Sequence, residues 1–229
     1  MKSESAIPQY SKAFVLMAVL FCVCLIAANL LEVKQTVIGP LSLTGGLLVF
    51  PVSYMINDCL VEVWGFARAR MVIWLGFAMN AFVVMLGALA DALPPAPYWD
   101  GQAGFHTVFG LAPRIVAGSF VAFLAGSFLN AYVMSRMKVR ARHGRGFGWR
   151  AVASTLVGET VDSLIFFPIA LGGVVPWSEL PKMMVAQAVL KTLYEVVALP
   201  LTYRVVRRVK RWDHSDVYDR NVSYNVFRF

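Results

Sequence analysis

The stretch AFVLMAVLFCVCLIAANLL, residues 13–31, decides the class of fold. It carries no charged side chain over about 19 residues, close to the length of α-helix that crosses the hydrocarbon core of a membrane. The run is longer than the ~7–15 apolar residues of a signal peptide, and no small-residue cleavage motif follows it. We therefore interpret it as a retained transmembrane helix.

Five further apolar runs follow, so the sequence predicts an all-α fold, a six-helix transmembrane bundle forming one integral membrane domain over residues 1–229. The composition agrees, since 59% of residues are hydrophobic and only 15% are charged, against about 25% charged in soluble domains. Six spans use roughly 120 residues, which excludes a large catalytic domain outside the membrane. The predicted spans cover about residues 13–31, 45–64, 71–90, 115–134, 152–171 and 183–205.

The positions of the basic residues predict the orientation of the bundle. Lys and Arg accumulate in cytoplasmic loops. If both ends of the chain lie inside, 17 of the 21 basic residues fall on the inner side and the alternation holds at every loop. We therefore predict an N-in/C-in topology with a cytoplasmic tail over residues 206–229. Basic loops beside an anionic lipid leaflet explain the net charge of +8, so we expect contact with the lipid bilayer and none with nucleic acid.

Glycine and proline predict the irregular segments. Pro51 falls inside the second span, after a pair of glycines, which indicates a kinked or re-entrant second helix. The loop over residues 91–113 holds four prolines and three glycines, which argue against a long regular helix. For the polar and aromatic tail after Arg211, a recruitment motif, a short capping segment and disorder all stay open.

Ionisable side chains inside three spans indicate a site. A charge at the bilayer centre costs about 2.5–3.5 kcal/mol, so such residues are functional by default. At 1.5 Å of helix rise per residue, most of them fall in one layer near the middle of the membrane. We predict a central acidic cavity there, with Lys34 and Glu62 in gating or coupling. The predicted substrate ligands are Asn29, Asn57, Asp58, Glu159, Asp162, Gln187, Lys191 and Glu195.

The charges in this layer allow several interpretations. The side chains could simply pair and hold the bundle together, but five carboxylates face one lysine, and uncompensated buried charge is expensive. A visiting cation, a hydrogen-bond-donating ligand or bound protons would restore the balance. A remote alternative is an intramembrane aspartyl-type enzyme, although Glu159 and Asp162 share one helix whereas a dyad needs facing elements. A structural or assembly subunit is a third interpretation.

The missing motifs narrow the chemistry. The three histidines are scattered through loops and no H-E-x-x-H is present, so we predict no metal site. The chain also lacks G-x-S-x-G and the phosphate-binding G-x-x-x-x-G-K-[ST]. We predict no enzymatic activity and no cofactor.

Several stretches carry a family resemblance. They are AANLLEVK at residues 27–34, FPVSYMINDCLVEVWGFARAR at 50–70, ASTLVGETVDSLIFFPIA at 153–170, LKTLYEVVALPLTYRV at 190–205 and DVYDRNVSYN at 216–225. Together they resemble the queuosine precursor transporter family of six-helix inner-membrane proteins, over about residues 25–225. The loop over residues 91–113 and the terminal VFRF depart from the family pattern.

The resemblance implies a multi-pass protein of the bacterial inner membrane that imports a purine-like 7-deazaguanine base for salvage into the queuosine of transfer RNA. The chain is also similar in size and helix number to the substrate-binding subunits of energy-coupling-factor vitamin transporters. Vitamin uptake with an ATPase partner is therefore the alternative function. The sequence leaves open which precursor is carried, what drives uptake and whether the chain forms a homodimer.

The chemistry of the base fits the predicted ligands. A deazaguanine presents a ring N–H and an amine that a carboxylate accepts together, for which Asp58, Glu159 and Asp162 are the main candidates. Lys191 and Asn29 would donate to its carbonyl and ring acceptors. The flat face of the base favours aromatic neighbours. The candidate stacking residues are Tyr54, Phe166, Phe167 and Tyr194.

Overall fold

The computed structural model describes residues 10–38, 41–110, 113–141, 146–173, 177–178 and 180–228. Lys2, Arg142 and Arg145, which the orientation argument counts, lie outside these ranges. Seven α-helices and one β-hairpin form within the described residues. They are α1 (Lys12–Glu32), β1 (Gln35–Ile38), β2 (Leu41–Thr44), α2 (Phe50–Trp64), α3 (Phe66–Asp91), α4 (Gln102–Phe109), α5 (Pro113–Arg140), α6 (Phe147–Leu171) and α7 (Leu180–Asp213).

Six of the described segments are long and apolar enough to cross a membrane, which confirms the predicted all-α transmembrane class. They are Lys12–Leu31, Gly45–Trp64, Phe66–Asp91, Ala117–Arg140, Phe147–Ala170 and Leu180–Asp213. Four helices extend beyond the predicted spans at the same end of the bundle. Helix α3 begins at Phe66 rather than near residue 71, and α5 continues to Arg140 rather than ending near residue 134. Helix α6 begins at Phe147 rather than near residue 152, and α7 continues to Asp213 rather than ending near residue 205.

The outward faces of the helices are apolar. On α1, Leu16 and Val19 are exposed while Phe14 and Phe21 are buried. On α7, Val197 is among the most exposed side chains. An apolar outer surface around a polar interior is the reverse of a water-soluble bundle, and it suits contact with lipid tails.

Helix α2 occupies the centre of the bundle. Most of its residues are buried, including the polar Asn57, Asp58 and Glu62, and it contacts α1, α3, α5, α6 and α7. Its acidic side chains therefore face protein on every side.

The second span is not one continuous α-helix. A 3-10 turn over Gly45–Leu48 precedes α2. Helix α2 rises about 22 Å, and the turn adds about 8 Å, so the two together match the roughly 30 Å of a hydrocarbon core. Pro51 lies in the first turn of α2, where its missing N–H leaves no hydrogen bond unmade. It therefore starts the α-helix instead of kinking it.

The β-hairpin precedes this interrupted span. Strands β1 and β2 pair antiparallel, with Gln35 opposite Thr44, and the N–H of Gly45 then donates to the carbonyl of Lys34 at 2.7 Å. The sequence did not predict this hairpin, because strands of four residues are too short to show an alternating pattern. We call this end of the bundle the hairpin side.

Two glycines bring α5 and α6 together. A Cβ atom on Gly126 would lie 2.9 Å from the carbonyl oxygen of Gly158, and one on Gly158 would lie 2.9 Å from that of Gly126. Small residues at such a crossing allow the backbones of membrane helices to approach closely. Asp162 follows Gly158 by about one turn of α6.

The opposite end is closed by residues 214–228, which we call the C-terminal segment, and we call this end the tail side. Gly65 joins α2 to α3 with a φ of +80°, a conformation that favours glycine. The Asp219 carboxylate accepts hydrogen bonds from the N–H of Phe66 at 2.7 Å and from the Ser135 hydroxyl at 2.5 Å. It therefore caps the start of α3 and ties it to α5.

The C-terminal segment continues along α3. The Arg70 guanidinium donates to the carbonyls of Ser223 at 3.0 Å and Asn225 at 2.6 Å. The Trp74 indole donates to the carbonyl of Val226 at 2.8 Å. Of the three interpretations that the sequence left open for these residues, the structure agrees with a capping segment.

Candidate functional site

A cleft lies between the helices in the hairpin-side half of the bundle. It is open to solvent at its mouth, and α1, α2, α3, α5, α6 and α7 all contribute to its walls. Its polar lining consists of Asn29, Asn80, Ser119, Asp162, Gln187 and Lys191, and its aromatic lining of Phe50, Phe77, Phe120, Phe123 and Phe166. The cleft is therefore an aromatic cavity with a few polar groups, as small-molecule sites commonly are.

The structure divides the predicted ligands into two groups. Asn29, Asp162, Gln187 and Lys191 line the cleft, as does the predicted stacking residue Phe166. The other predicted ligands do not line it and lie deeper toward the tail side; they are Asn57, Asp58, Glu159 and Glu195.

Lys191 is the positive centre of the cleft. Its Nζ lies 2.8 Å from Glu159 Oε2 and 3.4 Å from Asp162 Oδ2, and 4.1 Å from the centroid of the Phe50 ring. The residue is only 5% exposed, so its charge is held by these neighbours with little help from water. The shorter contact makes Glu159 the main partner, while Asp162 reaches both the lysine and the cleft.

Asp58 and Glu195 form a second acidic pair behind the cleft. Their carboxyl groups, one from α2 and one from α7, are neighbours in the interior. Asp58 Oδ2 and both carboxyl oxygens of Glu195 are buried and have no hydrogen-bond partner among the described residues. The Ser154 hydroxyl donates to Asp58 Oδ1 at 3.4 Å, and Thr155 lies beside Glu195. Both acids are fully buried.

A chain of amide and hydroxyl groups borders this pair. Asn57 Nδ2 donates to Asn130 Oδ1 and to the carbonyl of Ser127, both at 3.1 Å. Asn130 Nδ2 donates in turn to the Thr155 hydroxyl at 3.1 Å. The structure therefore places Asn57 in a network that links α2, α5 and α6, where it orients neighbours of the acids.

Glu62 lies in a third layer at the tail side. Its carboxylate accepts from Arg150 Nη2 at 2.6 Å and from Lys210 Nζ at 2.7 Å. The sequence suggested that five carboxylates face one lysine, but these two cations neutralise Glu62. The sequence does not indicate that Arg150 and Lys210 pair with Glu62, because both lie on the helical extensions beyond the predicted spans. The imbalance is therefore confined to Asp58, Glu159, Asp162 and Glu195 against Lys191.

Lys210 also contacts the C-terminal segment. Asp216 Oδ1 accepts from Lys138 Nζ at 2.6 Å and from Lys210 Nζ at 2.8 Å, and Lys138 donates as well to the carbonyl of Glu62. Partial burial raises the pKa of the Asp216 carboxyl, but the two lysines lower that pKa by more, so it lies below the usual range.

The remaining predicted residues occupy different surroundings. Tyr54 and Phe167 are buried in the helix packing beside the cleft, whereas Tyr194, at 38% exposed, lies on the outer face of α7. Lys34 is exposed between α1 and the hairpin, away from the acidic layer.

Sequence reasoning missed Asn80, Ser119 and Phe50. Asn80 is a buried polar residue in an apolar span, and that signal was available in the sequence. An uncharged amide is a weaker signal than an ionisable side chain, because it costs less to bury.

Among the described residues, no group of three or more His, Cys, Asp or Glu could hold a metal ion. What the arrangement offers is an aromatic cleft with one carboxylate, one ammonium and several amides on its wall, inside a bundle of membrane-spanning helices. Such a site can bind a flat polar solute in the membrane interior.

This fold and this site define the class, a polytopic helical membrane transporter. A family model described as "Putative vitamin uptake transporter" matches residues 44–205. The chain belongs to this family of transporters, and it is a multi-pass protein of the bacterial inner membrane.

Curated relatives carry a more specific description. The chain is 29% identical over 192 residues to the "Probable queuosine precursor transporter" of Bacillus subtilis, covering 83% of each chain. It is 29% identical over 127 residues to the "Queuosine precursor transporter" of Escherichia coli, covering 56% of this chain and 54% of the relative. No solved structure matches the chain.

Proposed function

We propose that this protein imports a queuosine precursor, a 7-deazaguanine base, across the bacterial inner membrane, and that it binds the base in the aromatic cleft. The proposed contacts are those predicted ligands that line the cleft, Asn29, Asp162, Gln187 and Lys191, together with Asn80. Asp58, Glu159 and Glu195 are not among them, because they lie behind its wall.

The position of Asp162 carries this proposal. Its carboxylate lies at the cleft wall, 3.4 Å from Lys191, whereas Glu159 lies at 2.8 Å from the same ammonium. Because Glu159 keeps Lys191 neutralised, Asp162 can turn toward a ligand without leaving a buried cation unpaired. A carboxylate on a low-dielectric wall accepts the ring N–H and the amine of a deazaguanine together, with charge-assisted hydrogen bonds.

The other lining groups suit the rest of the base. Its carbonyl and ring acceptors need donors, which the amides of Asn29, Asn80 and Gln187 supply. Its flat faces can stack on Phe50 and Phe166 at the cleft wall. The cleft therefore offers a carboxylate for the donor edge of a flat heterocycle, amides for its acceptor edge and aromatic rings for its faces.

Transport requires the site to open to both sides in turn. The cleft lies toward the hairpin side, while the Glu62 layer and the C-terminal segment close the tail side. Under the predicted N-in/C-in orientation, the hairpin side faces outward, so this arrangement is the outward-facing half of an alternating-access cycle.

The family description favours a second candidate, the uptake of a vitamin. Several vitamins are also flat and polar, and the predicted alternative couples such a subunit to an ATPase partner. Binding distinguishes the two candidates: a thermal-shift panel of deazapurines, purines and vitamins on the purified protein should show the largest stabilisation with a 7-deazaguanine.

Uptake by cells tests the proposal directly. In a strain that lacks its own synthesis and depends on salvage, the protein should restore accumulation of a labelled 7-deazaguanine. Asp162→Asn keeps the size of the side chain but replaces an acceptor oxygen with a donor, so uptake should fall about tenfold or more, as expected for about 1.5–3 kcal/mol of charged hydrogen bonding.

Asp91→Asn is the matched control, because Asp91 contacts His106 at 2.6 Å and does not line the cleft. It should leave uptake at the parent level. Normal uptake by well-expressed Asp162→Asn would contradict the proposed contact, and a vitamin as the strongest stabiliser would contradict the proposed substrate.

A further inference from the structure

In the part of the chain that the structure describes, no cation is seen to neutralise the acidic pair behind the cleft. Among the described residues, Asp58 and Glu195 face each other without a cation between them, since Lys191 is held by Glu159 and Asp162. Arg150 and Lys210 are paired with Glu62 in the next layer. Two carboxylates so close in a buried site repel strongly if both are ionised.

A proton is the ion best suited to neutralise this pair. Three of the four carboxyl oxygens of the pair have no hydrogen-bond partner among the described residues, and two neighbouring carboxyl groups can hydrogen-bond to each other only if one of them carries a hydrogen. A divalent metal would need more ligands than two acids, and no described cluster offers them. One proton between Asp58 and Glu195 converts a charge of −2 into −1 and makes the contact attractive.

The Tyr54 hydroxyl is an independent observation at the same place. It is buried, with the residue 2% exposed, and among the described residues it has no hydrogen-bond partner. It also interacts electrostatically with all four unbalanced acids, Asp58, Glu159, Asp162 and Glu195. A buried hydroxyl without a partner is costly. Its position near the four acids therefore points to a hydrogen-bonding group or a proton that is bound during only part of the transport cycle.

Each helix packed against the pair places polar or titratable groups around it. Helix α5 contributes the Asn130 amide, and α6 contributes the hydroxyls of Ser154 and Thr155. The titratable groups facing the pair or its immediate neighbours are Tyr54, Cys59 and Glu62 on α2, Glu159 and Asp162 on α6, and Lys191 and Lys210 on α7.

We propose that the Asp58–Glu195 pair is a proton-binding site that couples movement of the base to movement of protons. This inference rests on the proposed function and adds its energy source. One proton enters with each base from the hairpin side, resides on the pair, and leaves to water on the tail side once the helices have rearranged. Because α2 carries one acid and α7 the other, protonation changes the attraction between the two helices that must move.

Proteoliposomes provide the first test. With a labelled nitrile-bearing 7-deazaguanine, which is uncharged, an acid-outside gradient of about one pH unit should drive up to about tenfold accumulation at one proton per base. A protonophore should abolish it, and a sodium gradient should not replace it. Accumulation that ignores the pH gradient, or that follows sodium, would overturn the inference.

Glu195→Gln separates coupling from transport. The variant should lose accumulation driven by the pH gradient, yet still exchange internal unlabelled base for external labelled base. Asp91→Asn, an acid-to-amide change far from the pair, should keep the full response to the gradient. A Glu195→Gln variant with the parent's accumulation would refute the role of the pair.

An infrared measurement keeps this inference distinct from the proposed function. Without any substrate, the purified protein at neutral pH should show the carbonyl band of a protonated carboxylic acid. That band should weaken in Asp58→Asn/Glu195→Gln and not in Asp91→Asn. If the protein neither binds nor exchanges the base, the proposed function fails, and this band alone then decides the proton site: an unchanged band in the double variant rejects it.

Discussion

Lys191 shows how one residue serves both the fold and the site. Its ammonium holds Glu159 on α6 and lies over the ring of Phe50 on α2, so it connects three helices. Removing one partner of a buried ion pair costs about 3–5 kcal/mol, because the other charge is left uncompensated. We therefore expect the base to hydrogen-bond to Asp162 and to leave the contact between Lys191 and Glu159 intact.

Asn80 should contribute to binding and not to stability. It is buried at the cleft wall on α3, and Asn80→Leu keeps its volume while removing the amide. We expect the affinity for a 7-deazaguanine to fall about tenfold, the value of one hydrogen bond of about 1–1.5 kcal/mol. Isothermal titration in detergent measures it, with the thermal midpoint without ligand unchanged.

Thr107→Val on α4, another polar-to-apolar change of similar size, is the control and should bind as the parent does. If Asn80→Leu binds normally, or if it lowers the thermal midpoint without ligand, Asn80 is a packing residue.

The charged residues inside the spans could be found from the sequence, whereas their partners on distant helices could not. Asp162 and Lys191 stood out because a charge in a span is rare. Arg150 and Lys210 looked like ordinary loop charges, since nothing in the sequence shows that α6 and α7 continue past the lipid boundary and bring them to Glu62. The apolar runs in the sequence show which segments cross the membrane. They do not show how far each helix extends beyond the lipid or which helix faces contact each other.

At the scale of elements, the C-terminal segment acts as part of the bundle. It binds α3 and α5 through Asp216, Asp219 and the backbone carbonyls that accept from Arg70 and Trp74. It binds α2 through the N–H of Val217, which donates to the carbonyl of Val63 at 3.0 Å. No period in its sequence predicts this docking, because its hydrogen bonds use backbone atoms and isolated side chains. The neighbouring helix ends therefore decide its structure.

The docking of this segment should weaken in acid. The lysines hold the pKa of Asp216 below its usual value near 3.8, so its ionised form stabilises the docked state fully above that value and the effect is lost as pH falls through the lowered pKa. The Asp216 side chain is 46% exposed, so solvent screening limits the effect to about 1 kcal/mol or less.

Hydrogen exchange of residues 214–228, corrected for intrinsic rates, measures this effect. Asp216→Asn at neutral pH should exchange severalfold faster than the parent, and acid should add little to it. Asp100→Asn in the exposed loop should not change exchange in the segment. Equal protection in parent and Asp216→Asn would show that the lysines are satisfied without this carboxylate.

At the scale of the whole molecule, the two ends differ in charge and in closure. The tail side gathers Arg150, Lys138, Lys210 and the docked segment, and the hairpin side carries the cleft and the exposed loop. The six spans followed from hydropathy, while the N-in/C-in orientation stays a prediction. The short hairpin did not follow from the sequence, because strands of four residues show no alternating pattern. The split between the cleft and the acid pair did not, because it depends on contacts between helices that are distant in the sequence.

Cysteine labelling on intact cells should confirm the orientation. The native Cys22, Cys24 and Cys59 are buried, which keeps the background low. Asp100→Cys should react with a membrane-impermeant maleimide, and Arg220→Cys should react only after the cells are permeabilised, because basic ends stay inside. The reverse pattern would place the hairpin side in the cytoplasm and reverse the proposed direction of opening.

Gly65 is all that separates α2 from α3, and a side chain at this position would meet Asp219, since a Cβ would lie 2.6 Å from its Oδ1. Because this one-residue connection is tight and the C-terminal segment binds both helices, we expect α2, α3 and the C-terminal segment to move together as one rigid unit. Any movement of this unit against α6 and α7 would have to change the contacts that Glu62 makes with Arg150 on α6 and Lys210 on α7.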